Sequence, residues 1–515
     1  MAAVGFFYSP CLQNSFVNWD DDSHIYENST IKTLNVRHIK EIFSDFPNLT
    51  FIPLTILSFA VEHHFFGHNS FVYHLNNLVL HLCVVGLVFL FLRMLGASFV
   101  ASLVAMIFFG IHPMHVESVA WITERKDVLY AFFYMLSLCA YVRYISGKRM
   151  KWYVISVVMG LASMLAKPMA LSLPLILFLL DWFLQRKISL KLFLEKIPYI
   201  LYIIPIGWLT YSLNARVPMQ NIFEAPLIWI WTFVFYLQKF VFPVLLVPLY
   251  TLPQPVTPGN FAYLASLILF SLIVLAVVCF RKNRNFVFAV LFYFLSIFFL
   301  LRFDTAADVT PVADRFMYLP SIGFSFLIGV FFENVIARRK TFLVAFSLLI
   351  LVLSAKTFLQ CRVWKDSATL WKHQITYAPH TAVGLNNLGV SYIDFFYATG
   401  ELRENSALQR EIESLYFKAL AIDPFYRDAC FNLAQTYLDI GDDQKALHFF
   451  LRAKSIDPND TDVLSSLGQL YSKMGKTHEA FLAFREIVDI SAKQLREEIK
   501  KATNNVSLKR KVRRK

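Results

Sequence analysis

Long apolar runs alternate with short polar loops over the first two thirds of the chain. Residues 261–280 form a run of twenty residues without a charge, and 316–332 form one of seventeen. A helix needs roughly 20 apolar residues to cross a bilayer, with about 17 as a lower limit. The pattern therefore predicts membrane helices near 72–95, 98–112, 127–145, 151–166, 169–184, 197–213, 226–247, 261–280, 286–301, 316–335 and 342–360.

Two features refine this series of helices. Residues 152–184 would make a helix of about 50 Å at 1.5 Å per residue, which is too long for one crossing. A hairpin is therefore expected at Pro168 or Pro174. Before the first long run, residues 36–46 and 52–66 have the pattern of short amphipathic helices that lie on a membrane surface.

Helices with polar faces replace the apolar runs from about Asp366 onward. Pro424 and Pro458 lie 34 residues apart, and each follows an aspartate. Residues after the first recur 34 positions later: Asn432-Leu433-Ala434, Tyr437, Gly441 and Ala446 return as Ser466-Leu467-Gly468, Tyr471, Gly475 and Ala480. This is the period of the tetratricopeptide repeat (TPR), a helix-turn-helix unit. Residues 379–424 are expected to form a further repeat with an insertion near 395–411, preceded by a capping helix over 368–378.

The expected fold is all-α: a polytopic transmembrane helical bundle over 1–361, a TPR α-solenoid over 362–492 and a basic tail over 493–515. The composition agrees, because 57% of the residues are hydrophobic and the mean hydropathy is +0.51. The tail holds ten Lys or Arg and two Glu, so +8 of the net charge of +13 lies there. A nucleic-acid-binding function for the whole chain is therefore excluded. The six cysteines are scattered and predict no disulfide framework.

Short basic loops predict the orientation of the helices in the membrane. Loops rich in Lys and Arg face the cytoplasm, and they occur here at 148–151, 186–196, 281–284 and 338–340. Segment 214–259 must then cross twice or not at all. The remaining loops and the TPR array are expected on the extracytoplasmic side; these loops are the Asp20 loop, residues 112–127, the turn at Lys167 and residues 302–315.

The extracytoplasmic loops collect the residues that could carry chemistry. Clustered carboxylates such as Asp20, Asp21 and Asp22 raise one another's pKa, which suits a general base or a metal site, although an ordinary acidic turn has the same composition. Lys167 is either a snorkelling lysine or a phosphate ligand. Asp314 and Arg315 form either a structural ion pair at a helix start or part of the same site.

The loop at 112–127 is the richest of these segments. Pro113 breaks the helix between His112 and His115, and the spacing of His112, His115 and Glu117 is not that of a metalloprotease. Metal binding is therefore not expected there, and a polar helix end is the plainer interpretation. Arg125, Lys126 and Asp127 follow, and the two cations suit a phosphate. Taken together on one face, these groups suit a lipid phosphate and a hydroxyl acceptor.

The order of the motifs resembles a known family. Phe16-Val17-Asn18-Trp19-Asp20-Asp21, His112-Pro113-Met114-His115-Val116-Glu117, Ala166-Lys167-Pro168 and Ala313-Asp314-Arg315-Phe316-Met317-Tyr318-Leu319-Pro320 occur in series before a TPR tail. The chain thus resembles the transmembrane-and-TPR O-mannosyltransferases and their prokaryotic relatives, of the GT-C glycosyltransferase superfamily, over nearly its whole length.

The resemblance implies a mechanism and partners. A sugar, mannose in the family, would pass from a polyprenyl or dolichyl phosphate to a protein hydroxyl with inversion, in a bacterial inner membrane or the endoplasmic reticulum. Asp20 or Asp21 would act as base, Arg125, Lys126, Lys167 and Arg315 would bind the donor phosphate, and the TPR array would bind the acceptor protein. No cofactor is certain, although a divalent metal is compatible with the site. A non-catalytic membrane-anchored TPR scaffold and a transporter of lipid-linked sugars are the alternatives.

Overall fold

A computed structural model describes residues 1–44, 46, 50–213, 223–301, 311–334, 339–399 and 406–512. Within these ranges every regular element is a helix. The chain divides into two compact units, Met1–Ala378 and Pro379–Lys515. The predicted all-α architecture, with a bundle of apolar helices followed by helical repeats, is confirmed.

The first unit is built from helices joined by short turns. Its described α-helices are α1 (Ala2–Tyr8), α2 (Val36–Ile42), α3 (Pro53–Phe66), α4 (Ser70–Met94), α5 (Phe99–Gly110), α6 (Val116–Ala120), α7 (Arg125–Gly147), α8 (Met150–Ala166), α9 (Leu173–Phe183), α10 (Leu190–Leu194), α11 (Ile197–Leu213), α12 (Ala225–Val241), α13 (Phe261–Cys279), α14 (Arg284–Ile297), α15 (Ser321–Asn334), α16 (Lys340–Val363) and α17 (Ser367–Tyr377).

Several of these helices are long and apolar enough to cross a membrane. Among the described residues five qualify, and α5 with its bent continuation Pro113–Ala120 makes a broken sixth. The five are Ser70–Met94, Ile122–Gly147, Leu190–Leu213, Phe261–Cys279 and Lys340–Val363. The predicted break at Pro168 is present: α8 ends at Ala166, and the 3-10 segment Pro168–Ser172 leads into α9, because Pro168 lacks an N–H.

Segment 214–259 begins and ends at the Lys167 end of the bundle. Gly207, near the end of α11, packs against Leu171 beside the Lys167 turn. At the other end of the segment, the Tyr250 hydroxyl donates to Asp314, and the Tyr263 hydroxyl of α13 donates to the carbonyl oxygen of Pro253 at 3.0 Å. The number of crossings within 214–259 stays a prediction, and residues 214–222 lie outside the described ranges.

The predicted amphipathic helices pack inward on one face. Ile42 of α2 and Ile56, Phe59 and Ala60 of α3 share an apolar core with Tyr73 of α4. This core supports the N-terminal loop that carries Asp20, since Ile25 and Ile31 belong to it as well.

Helix α15 approaches α14 closely through a glycine. A Cβ added to Gly323 would lie 2.6 Å from the carbonyl oxygen of Ala289, which is closer than any normal contact. Small residues at helix interfaces in membranes allow backbones to approach in this way.

Gly323→Ala is therefore expected to destabilise the first unit by about 1–3 kcal/mol, since the helices must separate to admit the methyl group. Gly86→Ala, in α4, is the matched control because its added Cβ would find only Met1 Cε, at 3.9 Å. Thermal unfolding of the purified variants, followed by tryptophan fluorescence, measures the difference. Equal midpoints for the two variants would contradict the close approach.

The second unit is a stack of helical hairpins. Its helices are α18 (Ala382–Thr399), α19 (Ser406–Ile422), α20 (Arg427–Ile440), α21 (Asp443–Ile456), α22 (Thr461–Lys473) and α23 (Thr477–Val512). Gly441 and Gly475 turn the chain with φ of 89° and 75°, in the left-handed region that favours glycine. The predicted insertion near 395–411 falls partly on residues 400–405, which lie outside the described ranges.

Candidate active site

Breaks in the apolar helices bring charged residues together at one end of the first unit. Pro113 separates α5 from α6, a 3-10 turn ends at Glu124 before α7, and Pro168 follows α8. A further 3-10 turn, Asp314–Met317, precedes α15. Side chains at these four breaks project from the ends of helices. They lie close together and form one site.

Glu124 lies at the centre of this site. Its carboxylate oxygens lie 3.2 Å from Lys126 Nζ, 3.2 Å from Lys167 Nζ and 3.2 Å from Arg315 Nε. The Glu124 side chain is 1% exposed, whereas those of the three cations are 10–12% exposed. One buried carboxylate thus gathers three cations that are themselves largely buried.

Three further carboxylates complete what we call the Glu124 cluster. Asp127 lies 2.6 Å from Lys167 Nζ, and Asp20 lies 3.3 Å from Lys126 Nζ. Glu117 pairs with the Arg315 guanidinium and accepts a hydrogen bond from the Arg315 backbone N–H at 2.9 Å. Shared partners on several elements hold these charges in fixed positions. The cluster consists of Asp20, Glu117, Glu124, Lys126, Asp127, Lys167 and Arg315.

The neighbouring acids Asp20 and Asp21 have different environments. Asp20 is 27% exposed at its side chain and faces Lys126. Asp21 is 1% exposed and accepts hydrogen bonds from the Val17 N–H at 2.9 Å and from the Thr123 hydroxyl at 2.8 Å, as well as from the Thr123 N–H and Trp121 Nε1, both at 3.1 Å. Burial raises the pKa of Asp21 to about 6, against these hydrogen bonds. Asp21 therefore fastens the loop that presents Asp20.

Stacked tryptophans form one wall beside the Glu124 cluster. The Trp19 ring stacks on Trp121 with centroids 4.3 Å apart, and Trp121 stacks on Trp364 at 5.5 Å. The Arg315 guanidinium lies 5.4 Å from the Trp121 centroid, within the range of a cation–π contact. Sequence analysis did not assign these rings to the site, although Trp19 stands next to Asp20 in the chain.

Helix α17 also holds the Asp20 loop. Trp371 Nε1 donates to the Asn18 side-chain oxygen at 2.6 Å, and the Asn18 N–H donates to the Ser367 hydroxyl at 2.8 Å. The segment that follows the last long apolar helix thus belongs to the walls of the site rather than to a separate surface. It lies within the first compact unit, which ends at Ala378.

Arg125 points away from the Glu124 cluster. Its guanidinium pairs with Glu62 of α3, donates to the carbonyl oxygen of Tyr73 at 2.8 Å and contacts the Asn77 side chain. Burial raises the pKa of Glu62 even though Arg125 lies beside it. Of the four cations predicted to bind phosphate, the structure brings Lys126, Lys167 and Arg315 together and places Arg125 in a separate ion pair.

The two histidines of the 112–117 segment are buried and hydrogen-bonded. His112 Nε2 lies 2.9 Å from the carbonyl oxygen of Phe240, and His115 lies 2.8 Å from that of Phe109 and 2.9 Å from the Ser321 hydroxyl. These contacts fasten the helix break at Pro113 to α12 and α15. Over the described ranges, no group of three or more His, Cys, Asp or Glu side chains is placed to hold a metal ion.

Asp314 is buried next to the cluster. It accepts a hydrogen bond from the Tyr250 hydroxyl, which lies 3.0 Å from both carboxyl oxygens. Burial, followed by repulsion from Glu117, raises the pKa of Asp314 to about 8. The group is therefore largely neutral at pH 7.

This pKa predicts a pH-dependent stability. Because the folded-state pKa lies above the ordinary value of 3.8, the stability that Asp314 contributes is complete below about pH 4 and is lost as the pH rises through 8. Between pH 6 and 9 the loss should be on the order of 2 kcal/mol. Over this pH range, the midpoint temperature of thermal unfolding should fall less steeply for Asp314→Asn than for wild type or for the exposed control Asp489→Asn. Parallel curves for all three would contradict the assignment.

Comparisons with known proteins agree with the motif order. Residues 427–460 and 461–494 each match a family model for the tetratricopeptide repeat. A protein O-mannosyl-transferase of Caenorhabditis elegans is 24% identical over 454 residues, which cover 81% of this chain and 61% of that protein. Protein O-mannosyl-transferase TMTC2 of Homo sapiens is 32% identical over 150 residues, which cover 28% of this chain and 18% of that protein. The resemblance to transmembrane-and-TPR O-mannosyltransferases is confirmed.

The extent of these matches is limited. The chain spans about three fifths of the worm relative's length, and it covers 48% of TMTC3 of Homo sapiens at 22% identity. Among solved structures, ArnT of Cupriavidus metallidurans bound to undecaprenyl phosphate aligns over 91% of this chain and 79% of that chain, at 13% identity. Its TM-score of 0.34 is too low to support an inference.

Proposed function

We propose that this chain is a GT-C-type membrane glycosyltransferase. It moves a sugar, mannose by analogy with its relatives, from a polyprenyl or dolichyl phosphate to a hydroxyl of an acceptor protein. The Glu124 cluster carries the proposal, because it sets the partly exposed carboxylate of Asp20 beside Lys126, one of three cations that Glu124 gathers at the end of a bundle of apolar helices. A carboxylate and a cationic phosphate site are the two parts that this transfer requires.

Asp20 is the proposed general base. It is more exposed than the other acids of the cluster, and Lys126 holds its carboxylate at 3.3 Å. As the acceptor oxygen attacks the anomeric carbon, Asp20 takes the hydroxyl proton, the new glycosidic bond forms and the bond from the anomeric carbon to the phosphate oxygen breaks. The sugar transfers with inversion. The partly exposed ring of Trp19, next in the chain, offers a flat apolar surface on which a sugar ring can stack.

Lys126, Lys167 and Arg315 are the proposed ligands of the donor phosphate. All three lie within ion-pair distance of Glu124, so one phosphate group can reach more than one of them. Fixed cations stabilise the charge that the leaving phosphate gains in the transition state. No carboxylic acid is required to protonate this leaving group, since a phosphate leaves as an anion.

The proposed orientation places the cluster and the TPR array on the extracytoplasmic side. Helix α7 spans 23 residues, about 34 Å, from Arg125 beside the cluster to Gly147 beside the basic loop 148–151. That length is close to the roughly 30 Å of a bilayer core, and basic loops favour the cytoplasm. Helix α17 packs on the Asp20 loop, so the chain leaves the first unit on the side of the cluster. The repeats would there bind the acceptor protein.

Transfer of labelled mannose from dolichyl or polyprenyl phosphate to a Ser/Thr-containing peptide, by the purified chain in nanodiscs, tests the proposal. A labelled peptide that requires the lipid-linked donor is the expected product. Peptide capture without transfer from either donor would favour the scaffold instead. Cysteine labelling that placed the Asp20 loop in the cytoplasm would overturn the orientation.

A further inference from the structure

A cavity of about 620 Å³ lies at the opposite end of the first unit from the Glu124 cluster. Apolar side chains of α9 and α10 form much of its lining, among them Phe178, Trp182, Leu192 and Phe193. Trp182 and Phe193 remain 43% and 52% exposed, so the rest of this unit does not cover their apolar side chains. Its polar lining residues include Arg186, Gln185 and Arg284.

A buried ionic network fixes one side of the cavity. Arg186 lies 2.8 Å from both Asp181 and Glu195, and the fully buried Lys196 pairs with Asp181. The Tyr141 hydroxyl of α7 donates to Asp181 at 3.0 Å. Two carboxylates balance two cations, so this network supplies a rigid wall with no net charge.

Arg284 supplies the charge that the network does not balance. Its Nη2 donates to the carbonyl oxygens of Trp182 at 2.6 Å and Phe183 at 2.7 Å, at the C-terminus of α9. Within the described part of the chain, no carboxylate lies at ion-pair distance from this guanidinium. Its Nε and Nη1 donors therefore stay available to an anion. The bordering segments 181–196 and 281–284 together carry seven Lys or Arg and two Asp or Glu.

We propose that this cavity binds an anionic phospholipid of the leaflet that faces the basic loops. Its phosphate lies against Arg284, and the upper part of one acyl chain lies against Phe178 and Phe193. The cavity volume falls within the roughly 300–1,000 Å³ of small-molecule sites, which is enough for a headgroup and part of a chain. Basic pockets between membrane helices recognise lipid headgroups in this way. The apolar wall favours a lipid over free phosphate, and the proposal is independent of the catalytic one.

Two substitutions of opposite charge at one lining residue test this site. The Gln185 side chain makes no hydrogen bond or ion pair within the described part of the chain, and only the backbone N–H bonds, to the carbonyl oxygen of Trp182 at 3.1 Å. The backbone φ of 57° affects any replacement alike. Gln185→Glu adds a negative charge to the cavity, and Gln185→Lys adds a positive one on a side chain of similar length. Native mass spectrometry of the purified chain, titrated with phosphatidylglycerol or phosphatidylcholine, measures retained lipid.

We expect phosphatidylglycerol to bind Gln185→Glu at least about fivefold more weakly than wild type, and Gln185→Lys at least as tightly as wild type, since each charge near a lipid phosphate contributes about 1 kcal/mol. Arg284→Gln should also lose binding, whereas Arg281→Gln, which removes a charge outside the cavity, should not. Thermal unfolding identifies any variant that fails to fold. Equal retention by both Gln185 variants would overturn the proposal. So would equal retention of phosphatidylcholine, or full competition by inorganic phosphate.

Discussion

Asp20→Asn should lower the kcat for sugar transfer by about 10²–10⁴-fold, the usual contribution of a general base. The amide keeps the size of the carboxylate but cannot take the proton of the acceptor hydroxyl. Because Asp20 is partly exposed and lies at the rim of the cluster, the substitution should leave the fold intact. Transfer from dolichyl phosphate mannose under saturating donor measures the loss, and thermal unfolding checks the fold.

Two neighbouring substitutions distinguish base catalysis from a general effect of charge. Asp22→Asn removes a carboxylate from the same loop and should keep most of the activity. Asp21→Asn replaces an acceptor of four hydrogen bonds, so it should lower both stability and activity. Activity retained in Asp20→Asn, with or without a loss in Asp22→Asn, would contradict the role given to Asp20.

The helices of both units can be predicted from the sequence because two lengths are set by physical constraints, namely that of a membrane-spanning helix and that of the helical repeat. A bilayer requires apolar helices of a minimum length, and the 34-residue repeat requires prolines and glycines at constant spacing. Both patterns recur in the structure, from Ser70–Met94 to the turns at Gly441 and Gly475. The break at Pro168 was equally predictable, because proline cannot donate the hydrogen bond that continues α8.

The orientation of adjacent side chains is harder to predict. Arg125 and Lys126 follow one another in the first turn of α7, where successive side chains point about 100° apart. One joins Glu62 and the other joins Glu124, and only the packing of α3 against α7 decides which. The same ambiguity separates Asp20 from Asp21. Sequence alone also counts Lys196 as part of a cytoplasmic basic loop, although it is fully buried against Asp181.

The position of Glu124 has a consequence for donor binding. A carboxylate that already pairs with Lys126, Lys167 and Arg315 keeps these cations together in the absence of substrate, so the phosphate of the proposed donor would meet a site that needs little rearrangement. In the proposed mechanism, binding of the donor exchanges part of each ion pair with Glu124 for a contact with the phosphate. This arrangement predicts that removing one cation acts chiefly on donor affinity.

Lys167→Met should raise the KM for the lipid-phosphate donor by about 10–100-fold, since a hydrogen bond to a charged group contributes about 1.5–3 kcal/mol. The kcat should fall less, because Arg315 and Lys126 remain to stabilise the leaving phosphate. Lys167→Arg keeps the charge and should restore most of the affinity. Transfer measured over a range of donor concentrations separates the two constants.

The controls for Lys167→Met test the effect of leaving the buried carboxylates beside Lys167 without this ion-pair partner. Asp127 and Glu124 each lose an ion pair, so the double variant Asp127→Asn/Lys167→Met should recover stability without recovering donor affinity. Lys151→Met, at the end of α8 far from Lys167, removes an exposed lysine and should change neither constant. A double variant that regained a normal KM would show that Lys167 serves only to balance Asp127, and the phosphate site would then have to lie elsewhere.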